Sequence, residues 1–102
     1  MRKWTVQDRR GREIYLTQER WQHIIEGHEE LSEHFDDVLE TVRKGRCRQD
    51  TILPYKYSYT SRCEDLPGKF DRIVVKVIFR PEGNNFIVTA WPDYWQRSDR
   101  YE

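Results

Sequence analysis

The stretch Thr17-Gln-Glu-Arg-Trp-Gln-His-Ile-Ile-Glu-Gly-His-Glu-Glu-Leu31 packs a helix start, a helix stop and two histidines into fifteen residues. Thr17 is a suitable N-cap, because its hydroxyl can accept an orphan N–H of the first turn, and Glu19 sits well against the positive end of the helix dipole. Trp21, Ile24, Ile25 and His28 recur at the spacing of one helical face, which predicts a first helix from Thr17 to about Glu26. His23 points elsewhere. Gly27 is expected as the left-handed residue after the last turn, leaving His28 beside unsatisfied carbonyls. Taken alone, His28 reads either as a helix-stop residue or as a general acid or base at the rim of a core.

Outward from this stretch, Trp4–Val6 and Glu13–Leu16 predict two short strands around the turn Asp8-Arg9-Arg10-Gly11. Downstream, Ser32 is expected to cap a second helix whose first turn holds Glu33, Asp36 and Asp37. Its apolar stripe is Phe35, Val38, Leu39 and Val42; Arg43 and Lys44 close it and Gly45 ends it. After Gly45 the hydrophobic period changes from helical to alternating. Arg46–Ile52, Tyr55–Thr60, Arg72–Arg80 and Phe86–Trp91 then read as strands, the last two joined by the loop Pro81-Glu-Gly-Asn84. The expected fold is α+β: an N-terminal hairpin (1–16), two helices (17–45), a roughly four-stranded antiparallel sheet (46–92) with the helices on one face, and a tail (93–102). One domain accounts for all 102 residues.

Alternation divides the last two strands. Ile73, Val75, Val77 and Phe79, with Phe86, Val88 and Ala90, are expected beneath the helices; Val74, Lys76, Ile78 and Arg80, with Ile87, Thr89 and Trp91, face the other way. If Arg80 pairs with Asn85, Lys76 falls opposite Thr89 and Val74 opposite Trp91. A lysine, a threonine and a tryptophan at mid-sheet suit a ligand, although a solvated sheet face also accommodates lysine and threonine. Tyr55, Tyr57 and Tyr59 add aromatics, and with Lys56, Arg62, Lys76 and Arg80 they suit stacked bases and phosphates; a tyrosine row also packs as ordinary cross-strand pairs.

The composition fits a globular chain: 35% of residues are charged and no long apolar run occurs. Neither a signal peptide nor a membrane span is visible, so a cytoplasmic or delivered protein is expected. The zero net charge hides an asymmetry. Between Thr17 and Gly45 there are eight acids and three bases, against ten and fifteen elsewhere. An acidic helical side and a basic remainder permit RNA binding.

The Trp-x-His-Ile-Ile motif, a second histidine five positions after the first, the acidic helix and the closing Phe-Ile-Val-Thr-Ala-Trp strand together resemble the barnase–EndoU–colicin–RelE group of small ribonucleases. The phage-associated and BrnT-like members are the most similar, over roughly 15–92. The resemblance implies a metal-independent endoribonuclease, often a toxin with a cognate antitoxin or immunity protein, which cleaves RNA by attack of the 2′-hydroxyl. It marks His23 and His28, with Thr89 on the last strand, as site residues; Arg62 and Lys76 are candidates for the basic residues that complete the set. In this scheme His28 is the general acid or base, Lys76 and Arg62 clamp phosphate, Thr89 donates to a phosphate oxygen, and Tyr57, Tyr59 and Trp91 stack on bases, with Lys56 and Arg80 also binding substrate. One departure stands out: relatives tend to have proline after the second histidine, and this chain has Glu29. A carboxylate there opposes the positive potential that RNA needs.

No cofactor is expected. Of the three histidines His23, His28 and His34, the first two are five apart and do not share a helical face, which argues against a metal site; Cys47 and Cys63 are read as free thiols, and Cys63 has no histidine nearby in sequence. The rival reading is a non-catalytic RNA- or protein-binding module that uses the aromatic tail Tyr94-Trp95 and Tyr101. Oligomeric state is not legible in the sequence.

Overall fold

The computed structural model describes residues 2–94, so the tail aromatics Trp95 and Tyr101 lie outside the described residues. The elements, in chain order, are β1 (Lys3–Gln7), β2 (Glu13–Thr17), α1 (Gln18–Gly27), a 3-10 turn (Glu29–Leu31), α2 (Phe35–Lys44), β3 (Arg46–Gln49), β4 (Lys56–Arg62), β5 (Arg72–Ile78) and β6 (Asn85–Asp93). Thr17 caps α1 as expected, its Oγ1 accepting the Arg20 N–H at 3.1 Å. The other end differs. Gly27 is the last helical residue and keeps a negative φ, and His28 closes the helix at φ −140° and ψ 78°, with its N–H donating to the Ile24 carbonyl at 2.8 Å. A 3-10 turn anchored by fully buried Leu31 follows, so His34, and not Ser32, occupies the N-cap of α2.

The expected stripe of α2 is in place: Val38 and Val42 are fully buried, with Phe35 and Leu39 packed beside them. Trp4 and Trp21 each meet Phe35 edge-on, with ring centroids 4.6 and 5.1 Å away, so β1, α1 and α2 lock together at one aromatic joint.

Among the described residues the strands form one six-stranded sheet in the order β1-β2-β6-β5-β4-β3. The hairpin turns where predicted, with Gly11 at φ 79°, but it is not separate from the sheet. Ile14 and Tyr15 pair in parallel with Asn85 and Phe86, giving a mixed sheet, and Ile14 and Leu16 are fully buried in the common core. The predicted third strand stops at Gln49. Asp50 there accepts the N–H groups of Ile52 and Leu53 at 2.8 and 2.9 Å, folding the chain into a turn.

Lys76 pairs with Thr89 and Val74 with Trp91, as the predicted register requires. Nearer the loop the register shifts by one: a bulge follows Lys76, and Val77 pairs with Ile87. The bulge reverses the alternation of β6, so Ile87 joins Ala90 and Pro92 in the core while Phe86 and Val88 are only half-buried.

Candidate functional site

The site rises from the face of the sheet opposite the helices. Core residues Tyr59, Ile73, Val75 and Ala90 alternate with Ser58, Thr60, Val74, Lys76, Thr89 and Trp91, which the two-residue period sends to the bare face. The registers align them in two rows. One runs Arg48, Ser58, Lys76, Thr89 across β3–β6; the other runs Arg46, Thr60, Val74, Trp91. Between them and the turn after β3 lies an open groove of about 840 Å³, lined among others by Arg46, Arg48, Ser58, Lys76, Trp91 and Asp93.

Lys76 is the fixed centre of this groove. Its ammonium donates to Ser58 Oγ at 2.6 Å and lies 5.9 Å from the centroid of the Trp91 ring. A half-buried ammonium restrained by one hydrogen bond and one ring keeps donors to spare for an incoming anion. Asp50, at the groove's end, is held below the usual carboxylate range by the N–H groups of Leu53 and Ile52, with the charges of Lys76 and Lys56 adding to the effect.

The other residues singled out in the sequence are distributed elsewhere. His23 lies on the outer side of α1 in a shallow depression with Arg2, Gln18, Glu19, Gln22 and Glu26. His28 closes α1 and, like His23, is not among the groove-lining residues. The reason is packing: Ile24 is buried in the core, where α1 lies against β6 and β2. The groove around Lys76 is thus lined by neither His28 nor Thr89.

Tyr59 is 1% exposed and Tyr57 packs against Phe79 at 4.7 Å on the core side, so neither ring presents a face to the groove. Arg62 pairs with Arg72 at the far end of β4. Lys56, opposite Ile78, starts that strand, and the Arg80 guanidinium lies 5.4 Å from the Phe86 ring centroid. Conversely, Arg46, Arg48 and Ser58 belong to the site and were not singled out. Their signal was available in the alternation of Arg46-Cys-Arg48 and of Ser58-Tyr-Thr60.

Two further polar clusters lie on the helix-bearing side. Asp8 accepts from the Tyr59 hydroxyl at 2.7 Å and from Arg12 Nε at 2.8 Å, tying the β1–β2 turn to β4. The second joins His34, Asp37 and Cys63. Burial raises the Cys63 thiol above its ordinary value; an Asp65 N–H opposes this and the Asp37 charge adds to it.

No helix among the described residues is long and apolar enough to cross a membrane. No protein-family model, curated protein or solved structure matches the chain.

Proposed function

We propose that the bare face of the sheet binds single-stranded RNA. The observation that carries this reading is the aligned row Arg48, Ser58, Lys76, Thr89 beside Trp91: cations and hydroxyls in one line with an aromatic surface at its end. Phosphates would follow Arg46, Arg48 and Lys76, and a base would stack on Trp91. The absence of a helix from this face leaves room for a strand to lie along it.

Strand cleavage is the second reading, favoured by the restrained Lys76 ammonium beside Thr89, an arrangement suited to charge developing on a phosphorane. In this reading Asp93 accepts the 2′-hydroxyl proton as that oxygen bonds to phosphorus, the P–O5′ bond breaks to leave a 2′,3′-cyclic phosphate, and the departing 5′-oxygen takes a proton from water. Asp50 is less suited, since its two backbone donors make it a weak base. Neither His23 nor His28 is assigned a part. The toxin role and the antitoxin partner implied by the resemblance depend on this second reading.

The test uses a labelled single-stranded RNA with wild type, Trp91→Ala, Lys76→Ala and His28→Ala. Trp91→Ala is expected to weaken binding by about 1–3 kcal/mol, the worth of one stacked base. Lys76→Ala is expected to flatten the dependence of log affinity on log salt by about 0.7. Binding unchanged in both variants would overturn the assignment of this face. Cyclic-phosphate termini that disappear with Lys76→Ala would establish cleavage here, whereas termini lost only with His28→Ala would move the chemistry to the helix side.

A further inference from the structure

Three side chains that the RNA-binding reading does not use meet where the start of α2 passes the end of β4. His34 is the N-cap of α2, Asp37 lies in its first turn, and Cys63 follows β4 directly, its N–H donating to the Asp71 carbonyl at 2.9 Å. His34 Nδ1 lies 2.9 Å from Asp37 Oδ2 and 3.9 Å from Cys63 Sγ, and one donor atom from each residue falls within 4.8 Å of the others. The histidine side chain is 11% exposed and the aspartate 49%.

Two chemistries use this trio of residue types. A nucleophilic Cys–His–Asp relay needs the thiol at one ring nitrogen and the carboxylate at the other, so that the imidazole can pass a proton between them. Here both approach the same nitrogen, and the relay is not formed. A metal ion needs the opposite arrangement, with all lone pairs directed at one point. At bond lengths of about 2.0–2.3 Å, tetrahedral zinc holds its nitrogen, oxygen and sulfur ligands about 3.3–3.6 Å apart. The distances of 2.9 and 3.9 Å bracket that range. Replacing the proton between His34 and Asp37 by a cation would require the first to open, and the second to close, by a few tenths of an ångström.

Donor chemistry narrows the ion. A thiolate and an imidazole disfavour calcium and magnesium, which take oxygen ligands, and with a carboxylate they suit zinc. We propose that His34, Asp37 and Cys63 form a zinc site, with a water completing the tetrahedron on the half-exposed Asp37 side. The site fastens the beginning of α2 to the chain leaving β4, two elements brought together from 29 residues apart. β4 also carries Ser58, the residue that restrains Lys76, so the metal holds the strand on which the groove depends.

The experiment titrates the 102-residue chain, reduced with a phosphine, with cobalt(II) as a spectroscopic substitute. One equivalent is expected to produce thiolate-to-cobalt charge-transfer absorption and the intense visible bands of tetrahedral cobalt, both abolished by one equivalent of zinc. Cys63→Ser and His34→Ala should lose the charge-transfer band and the stoichiometric binding respectively, while Cys47→Ser keeps both. Asp37→Asn is expected to weaken zinc at least tenfold. Zinc should also raise the thermal midpoint of wild type and leave that of Cys63→Ser unmoved. Wild type that gives no thiolate–cobalt absorption overturns the site without reference to any variant's folding. So does a band that survives Cys63→Ser, that Cys47→Ser removes, or that saturates at half an equivalent, since the last would place the metal between two chains.

Discussion

Tyr59 heads the fully buried side chains by volume among the described residues, yet it carries a hydroxyl. Its burial is tolerable because that hydroxyl donates to Asp8, while Asp8 also receives the N–H groups of Arg10 and Arg12 at 3.0 and 2.9 Å and the Arg12 side chain. Burial alone would raise the Asp8 carboxyl; the bonds from Tyr59 and Arg12 outweigh it and hold the group below its ordinary value. The same burial, with the Asp8 bond, pushes the Tyr59 hydroxyl upward. A carboxyl depressed in the folded state contributes stability that is complete above its unfolded value, near pH 4, and is lost as the pH falls through the folded one. Tyr59→Phe should therefore cost about 1.5–3 kcal/mol at pH 7, the worth of a buried bond to a charged group. Urea unfolding at pH 7 and pH 3 should show the gap between variant and wild type narrowing in acid. Nothing in the Tyr-x-Tyr-x-Tyr pattern revealed this role. Alternation places Tyr57 and Tyr59 on one face, but only the partner from the β1–β2 turn, 51 residues away, settles which.

At the scale of elements, local chemistry was legible and long-range pairing was not. The α2 stripe, the Gly11 turn and the pairing of Lys76 with Thr89 follow from spacing within one element or across one short loop. The parallel contact of β2 with β6 depends on two segments 71 residues apart, and neither carries a mark of the other. The bulge after Lys76 has a local cause that reads plainly only afterwards: Val88 is the extra residue between Ile87 and Thr89, and all three suit either face. Gly45 ends α2 as expected, but at φ −73°, outside the left-handed region that usually calls for glycine at a helix end. Glycine serves another purpose there. A Cβ would collide with the Thr41 carbonyl and come within 2.8 Å of the Thr60 carbonyl oxygen, so the residue lets α2 turn into β3 hard against β4. Gly45→Ala is expected to cost about 1–3 kcal/mol, the usual price of overpacking. The denaturant midpoint should fall without a change in slope. Glycine was readable at that position; close approach as the reason for it was not.

On the scale of the whole molecule, the zero net charge divides by side. The acids of α1, the 3-10 turn and α2 gather on the helical layer, while Arg46, Arg48 and Lys76 occupy the opposite surface. Under the proposed function, an RNA strand approaching from solution would meet repulsion on one side and attraction on the other, which would orient it before contact. The sequence disclosed this asymmetry by counting alone. It did not disclose which chemistry-bearing residues share a surface, and for that reason it joined His28 to Lys76 and separated Cys63 from His34.

β3 closes the sheet among the described residues, and all four of its residues are exposed. Its outer backbone groups are thus an open template on which another chain could add a strand. The two arginines assigned to the phosphates stand on this short border, where their repulsion across two copies opposes such growth. Arg46→Thr with Arg48→Thr should accordingly raise light scattering with concentration and time, as well as weaken RNA binding. Whatever neutralises that border, substitution or bound polyanion, takes away the charge that keeps neighbouring molecules from extending each other's sheets.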